Sequence, residues 1–246
     1  VEDHFNELVI DLVNPAGQPE RMQLVVRGYN DGFAFCYKIP DGKGPCVNVQ
    51  SELTAYNFAG DYTAWFYNGE NHNIGPEKLT ETDGTRLPVM TVKAGDKHYM
   101  AIHEACLETG APLVLQSKGG ESLFSVASKP TSLSPGYTSA WRVVLYGTTP
   151  GVLTDSHLLE LLNPDPDSRY DFSWVKPGLA VWDWRINGAV WDGFTYGMSY
   201  PSWVRMVDFA AEQGFKYLVL DANWYGPEFE SDSDPVKGEK AQDVQR

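Results

Sequence analysis

The first 147 residues consist of short runs of strand length that alternate with turn-forming residues. Nine apolar or alternating runs occur, from ELVIDLV at 7–13 to AWRVVLYG at 140–147. Segments between them, such as TDGTR at 82–86 and SKGGES at 117–122, are rich in residues that favour tight turns. Many short strands without a helical period predict a mainly β domain over 1–147, an antiparallel β-sandwich.

After Gly147 the pattern changes to a helical one. A short helix is predicted within a linker at 148–176, where Thr154 is a suitable N-cap and Pro164 ends the helix. The apolar stripe of this helix consists of Leu158, Leu159 and Leu162.

A strand, a helix and a second strand are predicted within 177–246. LAVWDW at 179–184 and FKYLVL at 215–220 are continuous apolar runs, which are typical of parallel strands covered on both faces. The helix between them is predicted to start at 199–203. One face of it holds Trp203, Val207, Ala210 and Gly214.

This βαβ unit predicts the opening of a (β/α)8 barrel. A complete barrel takes about 200–250 residues, so we expect the chain to contain only part of one. A doubly wound sheet would also place a ligand at its strand ends, but the first run is not followed by the GxGxxG turn of a dinucleotide site.

Polar and aromatic residues follow both apolar runs. Asp183 and Trp184 end the first run, and Asp221, Asn223 and Trp224 follow the second. The carboxyl ends of barrel strands form the active-site face. Asp183 and Asp221 are therefore candidates for binding substrate hydroxyl groups, and capping of the turns that follow them is an equally open interpretation.

The composition restricts the class of partner. A net charge of −14, from 33 acidic and 19 basic residues, argues against nucleic acid and anionic membranes. It is compatible with a neutral substrate or a bound cation. The aromatic content of 13% suits either a β-rich fold or a carbohydrate-binding surface. The spacing of Cys36, Cys46 and Cys106 does not predict a zinc site, and a bridge between the first two stays open.

The longer motifs match, in order, those of one enzyme family. They are VVRGYNDGFAFCY, SELTAYNF, YMAIHEACL, AWRVVLYG, NPDPDSRYDFSWVKPGLAVWDW and YLVLDANWYG. The chain resembles glycoside hydrolase family 97, bacterial exo-acting enzymes that remove α-linked glucose or galactose. The resemblance implies a β-super-sandwich followed by a catalytic (β/α)8 barrel, a calcium ion, an oligosaccharide substrate, and a periplasmic or secreted protein. It also implies that the remainder of the catalytic barrel completes this chain, since family members are several hundred residues longer.

The resemblance further assigns individual residues. Glu104, in AIHEACL, matches a glutamate that the sandwich contributes to the calcium site, and calcium takes six to eight oxygen ligands. We expect Glu104 at a strand end where its carboxylate need not be buried. His103 departs from the family's more frequent threonine, and we do not expect it to be a ligand. Trp224 is expected near the substrate, while Trp182 and Trp184 either line the site or pack.

No catalytic residue is assigned in this chain. The family carries its catalytic carboxylates on later barrel strands, so the resemblance places them outside these 246 residues. The alternative function is a non-catalytic carbohydrate-binding module that uses the sandwich alone. The predicted βαβ unit disfavours this alternative, because a simple binding module has no use for it. A small structural protein completed by a pairing chain is a third interpretation.

Overall fold

The chain forms two compact units, Val1–Pro166 and Asp167–Arg246. The computed structural model describes residues 2–12, 22–43, 45–67 and 73–234. The domain boundaries expected after residues 147 and 176 stay predictions. The last part of the predicted barrel segment, 235–246, lies outside the described residues.

The first unit is built from strands, and each of the nine predicted runs contains one. Thirteen strands lie in its described part: β1 Asn6–Leu12, β2 Met22–Tyr29, β3 Gly32–Lys38, β4 Val47–Val49, β5 Ala55–Asn57, β6 Thr63–Tyr67, β7 Ile74–Lys78, β8 Asp83–Lys93, β9 Tyr99–Ala105, β10 Leu115–Lys118, β11 Leu123–Val126, β12 Thr131–Leu133 and β13 Trp141–Gly147. Sequence reasoning missed β4, β5, β7 and β12, because their sequences VNV, AYN, IGPEK and TSL contain too few apolar residues to form a recognisable run.

Eleven of these described strands join in one large antiparallel sheet. Its order is β1-β2-β3-β13-β9-β8-β10-β11-β5, with β6 paired to β8 and β7 paired to β6. The two remaining strands, β4 and β12, pair with each other. The prediction of a mainly β, antiparallel fold is confirmed.

β8 connects the two halves of the sheet, and the turn predicted at 82–86 is wrong. The first residues of β8 pair with β10, from Asp83↔Lys118 to Arg86↔Leu115. Its last residues pair with β9, from Met90↔Ile102 to Lys93↔Tyr99. Gly84 has a φ of 85°, a conformation that glycine adopts without a Cβ penalty. The Asp-Gly pair therefore lies within a continuous strand.

Two hydrophobic clusters cover opposite faces of this sheet. Alternate residues of a strand point to opposite faces, and in β13 Trp141, Val143 and Leu145 belong to one cluster while Val144 packs on the other. The first cluster includes residues of the segment after β13. The second draws on β6, β8, β9, β10 and β11, and its largest fully buried side chains are Phe66 and Phe124.

The segment after β13 forms two short helices in place of the single helix predicted there. They are α1 Pro150–Asp155 and α2 Leu158–Leu161. Ser156 separates them: its hydroxyl donates to Asp31 Oδ2 at 2.6 Å and accepts from the Leu158 N–H at 3.2 Å. Thr154 is thus inside α1, and the prediction that it is an N-cap is wrong. The predicted apolar stripe is confirmed, since Leu158 and Leu162 are buried in the first cluster.

The second unit contains the βαβ arrangement that the sequence predicts. Its described elements are β14 Ala180–Trp182, α3 Asp183–Ile186, β15 Val190–Trp191, β16 Phe194–Thr195, α4 Tyr200–Gln213 and β17 Tyr217–Val219. β14 and β17 pair in parallel in the register Ala180↔Tyr217 to Trp182↔Val219, with α4 between them in the chain. The hairpin β15–β16 was not predicted.

Helix α4 has clear start and stop signals. Ser199 is its N-cap, Pro201 lies in the first turn, and Gly214 ends it with a φ of 72°. Its buried face contains Ser202, Trp203, Met206 and Ala210. The predicted position of Val207 on that face is wrong, because Val207 is exposed and Met206 takes its place.

The three cysteines are free thiols in this structure. Burial raises the pKa of the Cys36 thiol to about 11, so this side chain stays protonated and behaves as a small apolar group. Within the described ranges, no helix has the length and apolar character needed to span a bilayer.

Candidate functional site

The parallel pairing of β14 and β17 brings the two predicted carboxylates together. Asp183 follows β14 directly, and Asp221 lies two residues after β17. The backbone N–H of Asp221 donates to Asp183 Oδ1 at 3.0 Å. Asp183 and Asp221 therefore meet at the carboxyl edge of the two strands, where the sequence predicts a ligand site.

Asp183 faces the interior of its unit. Its residue exposure is 1%, and Trp203 of α4 donates its indole N–H to Asp183 Oδ2 at 2.9 Å. Both carboxylate oxygens thus accept hydrogen bonds from the protein, which a buried charge requires. The sequence does not predict this burial, since a strand-end aspartate has the same signature whether it faces solvent or protein.

Asp221 is only half-buried, and its carboxylate is oriented from two sides. The Trp182 indole N–H donates to Oδ2 at 2.6 Å, and the Ala222 N–H donates to Oδ1 at 2.8 Å. Each carboxylate oxygen has two lone pairs. Asp221 therefore keeps acceptor capacity for a further donor such as a sugar hydroxyl.

Trp224 lies in a turn that Asn223 stabilises. Asn223 has a φ of 68°, and asparagine tolerates this left-handed conformation better than most residues. Its side-chain oxygen accepts the Glu228 N–H at 3.0 Å, which closes the turn over 223–228. The Trp224 ring is half-buried and meets Tyr225 edge to face at 5.5 Å between ring centroids. Trp224 is thus partly accessible to solvent.

The other two tryptophans of this region differ in their surroundings. The guanidinium of Arg185 lies over the Trp182 ring, 5.0 Å from its centroid. The same ring lines an open, mainly apolar groove of about 660 Å³ together with Arg185, Met206 and Phe209. Trp184 is exposed. Trp182 thus has a packing role and a hydrogen-bonding role, while Trp184 is left at the surface of its unit.

Glu104 lies in a different setting, inside the sheet of the first unit. It is on β9 directly opposite Arg142 of β13. Arg142 Nη1 is 3.4 Å from Glu104 Oε2, which also accepts the Leu113 N–H at 2.5 Å. The side-chain exposures of Arg142 and Glu104 are 5% and 7%. The expectation that this carboxylate need not be buried is therefore wrong, because an internal guanidinium compensates its charge.

A second carboxylate completes this ion cluster. Arg142 donates from Nη2 to Glu52 Oε2 at 2.7 Å and from Nε to Oε1 at 3.1 Å, a bidentate pair. Burial acts to lower the pKa of Arg142, but the hydrogen bonds and charge of Glu52 outweigh it and raise this pKa above its ordinary value. The cluster of Glu52, Arg142 and Glu104 holds one positive and two negative charges.

This cluster does not form a calcium site by itself. Calcium needs six to eight oxygen ligands. Among the described residues, no group of three or more His, Cys, Asp or Glu side chains could hold a metal ion. His103 Nδ1 accepts the Glu104 N–H at 2.8 Å, so that ring atom serves the local backbone. Glu104 could supply one oxygen ligand at most as part of a larger set.

Sequence reasoning missed three residues that organise these sites: Glu52, Arg142 and Trp203. A signal existed for Arg142, since it is the one charge in the apolar run AWRVVLYG and a buried arginine needs a partner. Trp203 was identified only as a core residue, and Glu52 carried no signal in its polar surroundings.

A comparison with family models gives the chain its identity. The model of the glycosyl-hydrolase 97 N-terminal region matches residues 1–164. The chain belongs to glycoside hydrolase family 97. The resemblance read from the motifs is confirmed, and the match covers the whole sheet of the first unit.

Two curated relatives extend over most of the chain. A retaining alpha-galactosidase of Bacteroides thetaiotaomicron is 28% identical over 241 residues, covering 80% of this chain and 36% of the relative. A "probable retaining alpha-galactosidase" of Streptomyces bingchenggensis is 30% identical over 225 residues, covering 83% of this chain and 32% of the relative. The family 97 chain thus spans about a third of the length of these relatives.

Solved structures share the fold. A glycoside hydrolase family 97 enzyme from Pseudoalteromonas sp. strain K8, in complex with acarbose, has a TM-score of 0.74 and 23% identity, covering 96% of this chain and 40% of that one. A beta-arabinopyranosidase has a TM-score of 0.74 and 19% identity, and the match covers 100% of this chain and 40% of that one. At these identities the likeness establishes the fold of the family 97 chain.

Proposed function

We propose that this chain is the N-terminal part of a retaining glycoside hydrolase that removes terminal α-linked galactose from oligosaccharides, with α-linked glucose as the alternative substrate. The family match over residues 1–164 carries the proposal. The choice of galactose and of retention is supported by the names of the two curated relatives.

The architecture of the proposed enzyme follows the same family. The first unit is the β-super-sandwich, supported by the large antiparallel sheet with a hydrophobic cluster on each face. The second unit is the opening of a (β/α)8 barrel, supported by β14, α4 and β17 in parallel βαβ order. The remainder of the catalytic barrel lies outside this chain.

Asp221 and Trp224 are the residues that we propose to contact the sugar. Asp221 has free acceptor capacity at the carboxyl edge of the strands, and the partly exposed Trp224 ring offers a flat apolar face. Retention requires two carboxyl groups about 5–5.5 Å apart, one of which protonates the leaving group while the other attacks the sugar. Because Asp183 is only 1% exposed and each of its carboxylate oxygens already accepts a hydrogen bond from the protein, it does not supply such a group.

The resemblance to family 97 places the catalytic pair on later barrel strands, and this placement has a direct test. We expect the purified 246-residue chain to leave p-nitrophenyl α-galactoside and α-glucoside intact, and the product of the complete reading frame to hydrolyse the galactoside faster. The p-nitrophenolate released in parallel assays measures this. Hydrolysis by the chain alone would overturn the placement of the catalytic pair. A complete enzyme inactive on both substrates would overturn the proposed function.

Calcium dependence is a separate proposal, in which Glu104 supplies one carboxylate oxygen and residues outside the described part of the chain supply the others. A ligand that binds the folded state raises its unfolding temperature. We expect calcium to raise the Tm of the complete enzyme and Glu104→Gln to abolish this rise. Glu108→Gln, a change at an exposed glutamate in the turn after β9, is the control. An equal calcium-induced rise in Glu104→Gln and Glu108→Gln would contradict the assignment.

A further inference from the structure

Asp221 is held on two sides by consecutive residues of the neighbouring strand end. Trp182 binds its side chain through the indole N–H, and Asp183 binds its backbone N–H through a carboxylate oxygen. We propose that Trp182 and Asp183 are positioning residues that fix Asp221 for sugar binding, and that Asp183 does not itself contact substrate. The proposal rests on the proposed function and changes the role predicted for Asp183.

The burial of Asp183 explains why it serves as a positioning residue. At 1% exposure its carboxylate is out of reach of a ligand on the surface of the unit. Each of its carboxylate oxygens accepts a hydrogen bond from another part of the unit: Oδ1 from the Asp221 N–H after β17 and Oδ2 from the Trp203 indole of α4. One side chain therefore fixes the distance from β14 to both of these neighbours.

Trp203 links this contact to the buried face of α4. It is a buried residue in the second turn of α4. If the hydrogen bond from the Trp203 indole to Asp183 is removed, or if Asp183 loses its charge, the acceptor that holds the Asp221 N–H is no longer fixed in position. The orientation of Asp221 thus depends on α4, although Asp221 makes its own hydrogen bonds to Trp182 and Ala222.

Trp182 determines the orientation of the Asp221 carboxylate. An indole N–H is only a donor, and its 2.6 Å contact fixes Oδ2 without neutralising the charge. The second lone pair of each oxygen remains for sugar hydroxyls. A side chain that binds a ligand precisely needs a rotamer that surrounding hydrogen bonds hold in place. The hydrogen bond from Trp182 holds the rotamer of Asp221 in this way.

Indole resonances of the product of the complete reading frame, labelled with ¹⁵N at tryptophan, test the coupling without any substrate. Trp182→Phe and Trp203→Phe assign the two indole signals by their loss. In Trp203→Phe we expect the Trp182 indole signal to move and to lose protection from hydrogen exchange. The reason is that Asp183 loses its hydrogen bond from Trp203 and then holds the backbone of Asp221 less firmly. Trp174→Phe, a change at a 76% exposed residue of the same unit, is the control and should leave that signal in place. An unmoved Trp182 signal in Trp203→Phe would overturn the coupling.

Kinetics of the complete enzyme test the consequence for substrate. A hydrogen bond to a charged group is strong enough that its loss in Trp182→Phe should raise KM about ten-fold, with kcat little changed. Asp183→Asn should raise KM in the same direction, and Trp174→Phe should match the unchanged enzyme. If the enzyme is active and Trp182→Phe has the KM of the control, the positioning role is wrong. If the unchanged enzyme hydrolyses neither glycoside, the proposed function is wrong. The indole signals then remain as the test of whether Trp182 and Asp183 hold Asp221 in place.

Discussion

Arg142 is a single charged side chain in the buried strand β13, and its environment explains how the sheet tolerates it. Two carboxylates from different parts of the chain, Glu52 and Glu104, approach it at 2.7 and 3.4 Å. Removing one partner of a buried ion pair costs more than the pair contributes, because the remaining charge stays buried. The cluster is therefore sensitive to loss of the arginine above all.

We predict that Arg142→Met destabilises the chain by about 3–5 kcal/mol, since it leaves the buried carboxylate of Glu104 and the partly buried carboxylate of Glu52 without a counter-ion. Urea unfolding monitored by circular dichroism measures the change. The double variant Arg142→Met with Glu104→Gln should recover part of this loss, because one uncompensated charge is removed.

The matched control is Arg169→Met, which breaks an ion pair with Asp167 at the surface of the second unit. Exposed pairs contribute little to stability, so its unfolding midpoint should equal that of the unchanged chain. If Arg142→Met also unfolds at the unchanged midpoint, the cluster does not stabilise the fold.

The elements show which features of this fold the sequence predicts. Strands of seven or more residues, such as β2, β9 and β13, have enough apolar residues to be recognised from their pattern. The three-residue strands β4, β5 and β12 exist because a partner strand pairs with them, and pairing over long sequence separations leaves no local pattern. The continuity of β8 through Gly84 was missed for the same reason, since pairing with β10 overrides the turn preference of Asp-Gly.

The candidate site also has features that the sequence predicts and features that it does not. That Asp183 and Asp221 lie together could be predicted, because parallel strands bring their carboxyl ends to one edge. Which of the two is buried could not be predicted, since this depends on the indole of Trp203 from α4. The burial of Glu104 likewise depends on Arg142 and on the Leu113 N–H, which strand pairing and loop conformation bring to it.

At the scale of the whole molecule, the apolar core is distributed unequally between the two units. Both clusters of buried hydrophobic residues lie within Val1–Pro166. The second unit pairs its parallel strands β14 and β17 only with each other among the described residues, and it exposes large apolar side chains. They include Tyr170, Phe172, Trp174, Leu179, Trp191, Val207 and Phe209. From the two-stranded sheet and these exposed side chains we infer that the second unit needs contacts with other protein for its stability.

We therefore predict that 1–166 folds alone and that 167–246 does not. The shorter piece 1–140 is the control, because it lacks β13, which pairs with both β3 and β9 in the middle of the sheet. Urea unfolding should show one cooperative transition for 1–166, near the midpoint of the main transition of the full chain, and none for 1–140 or 167–246. A hydrophobic dye should bind 167–246 strongly, since its apolar surface is uncovered. Cooperative unfolding of 167–246 would contradict this division of stability, because the unit would then have a sufficient core of its own.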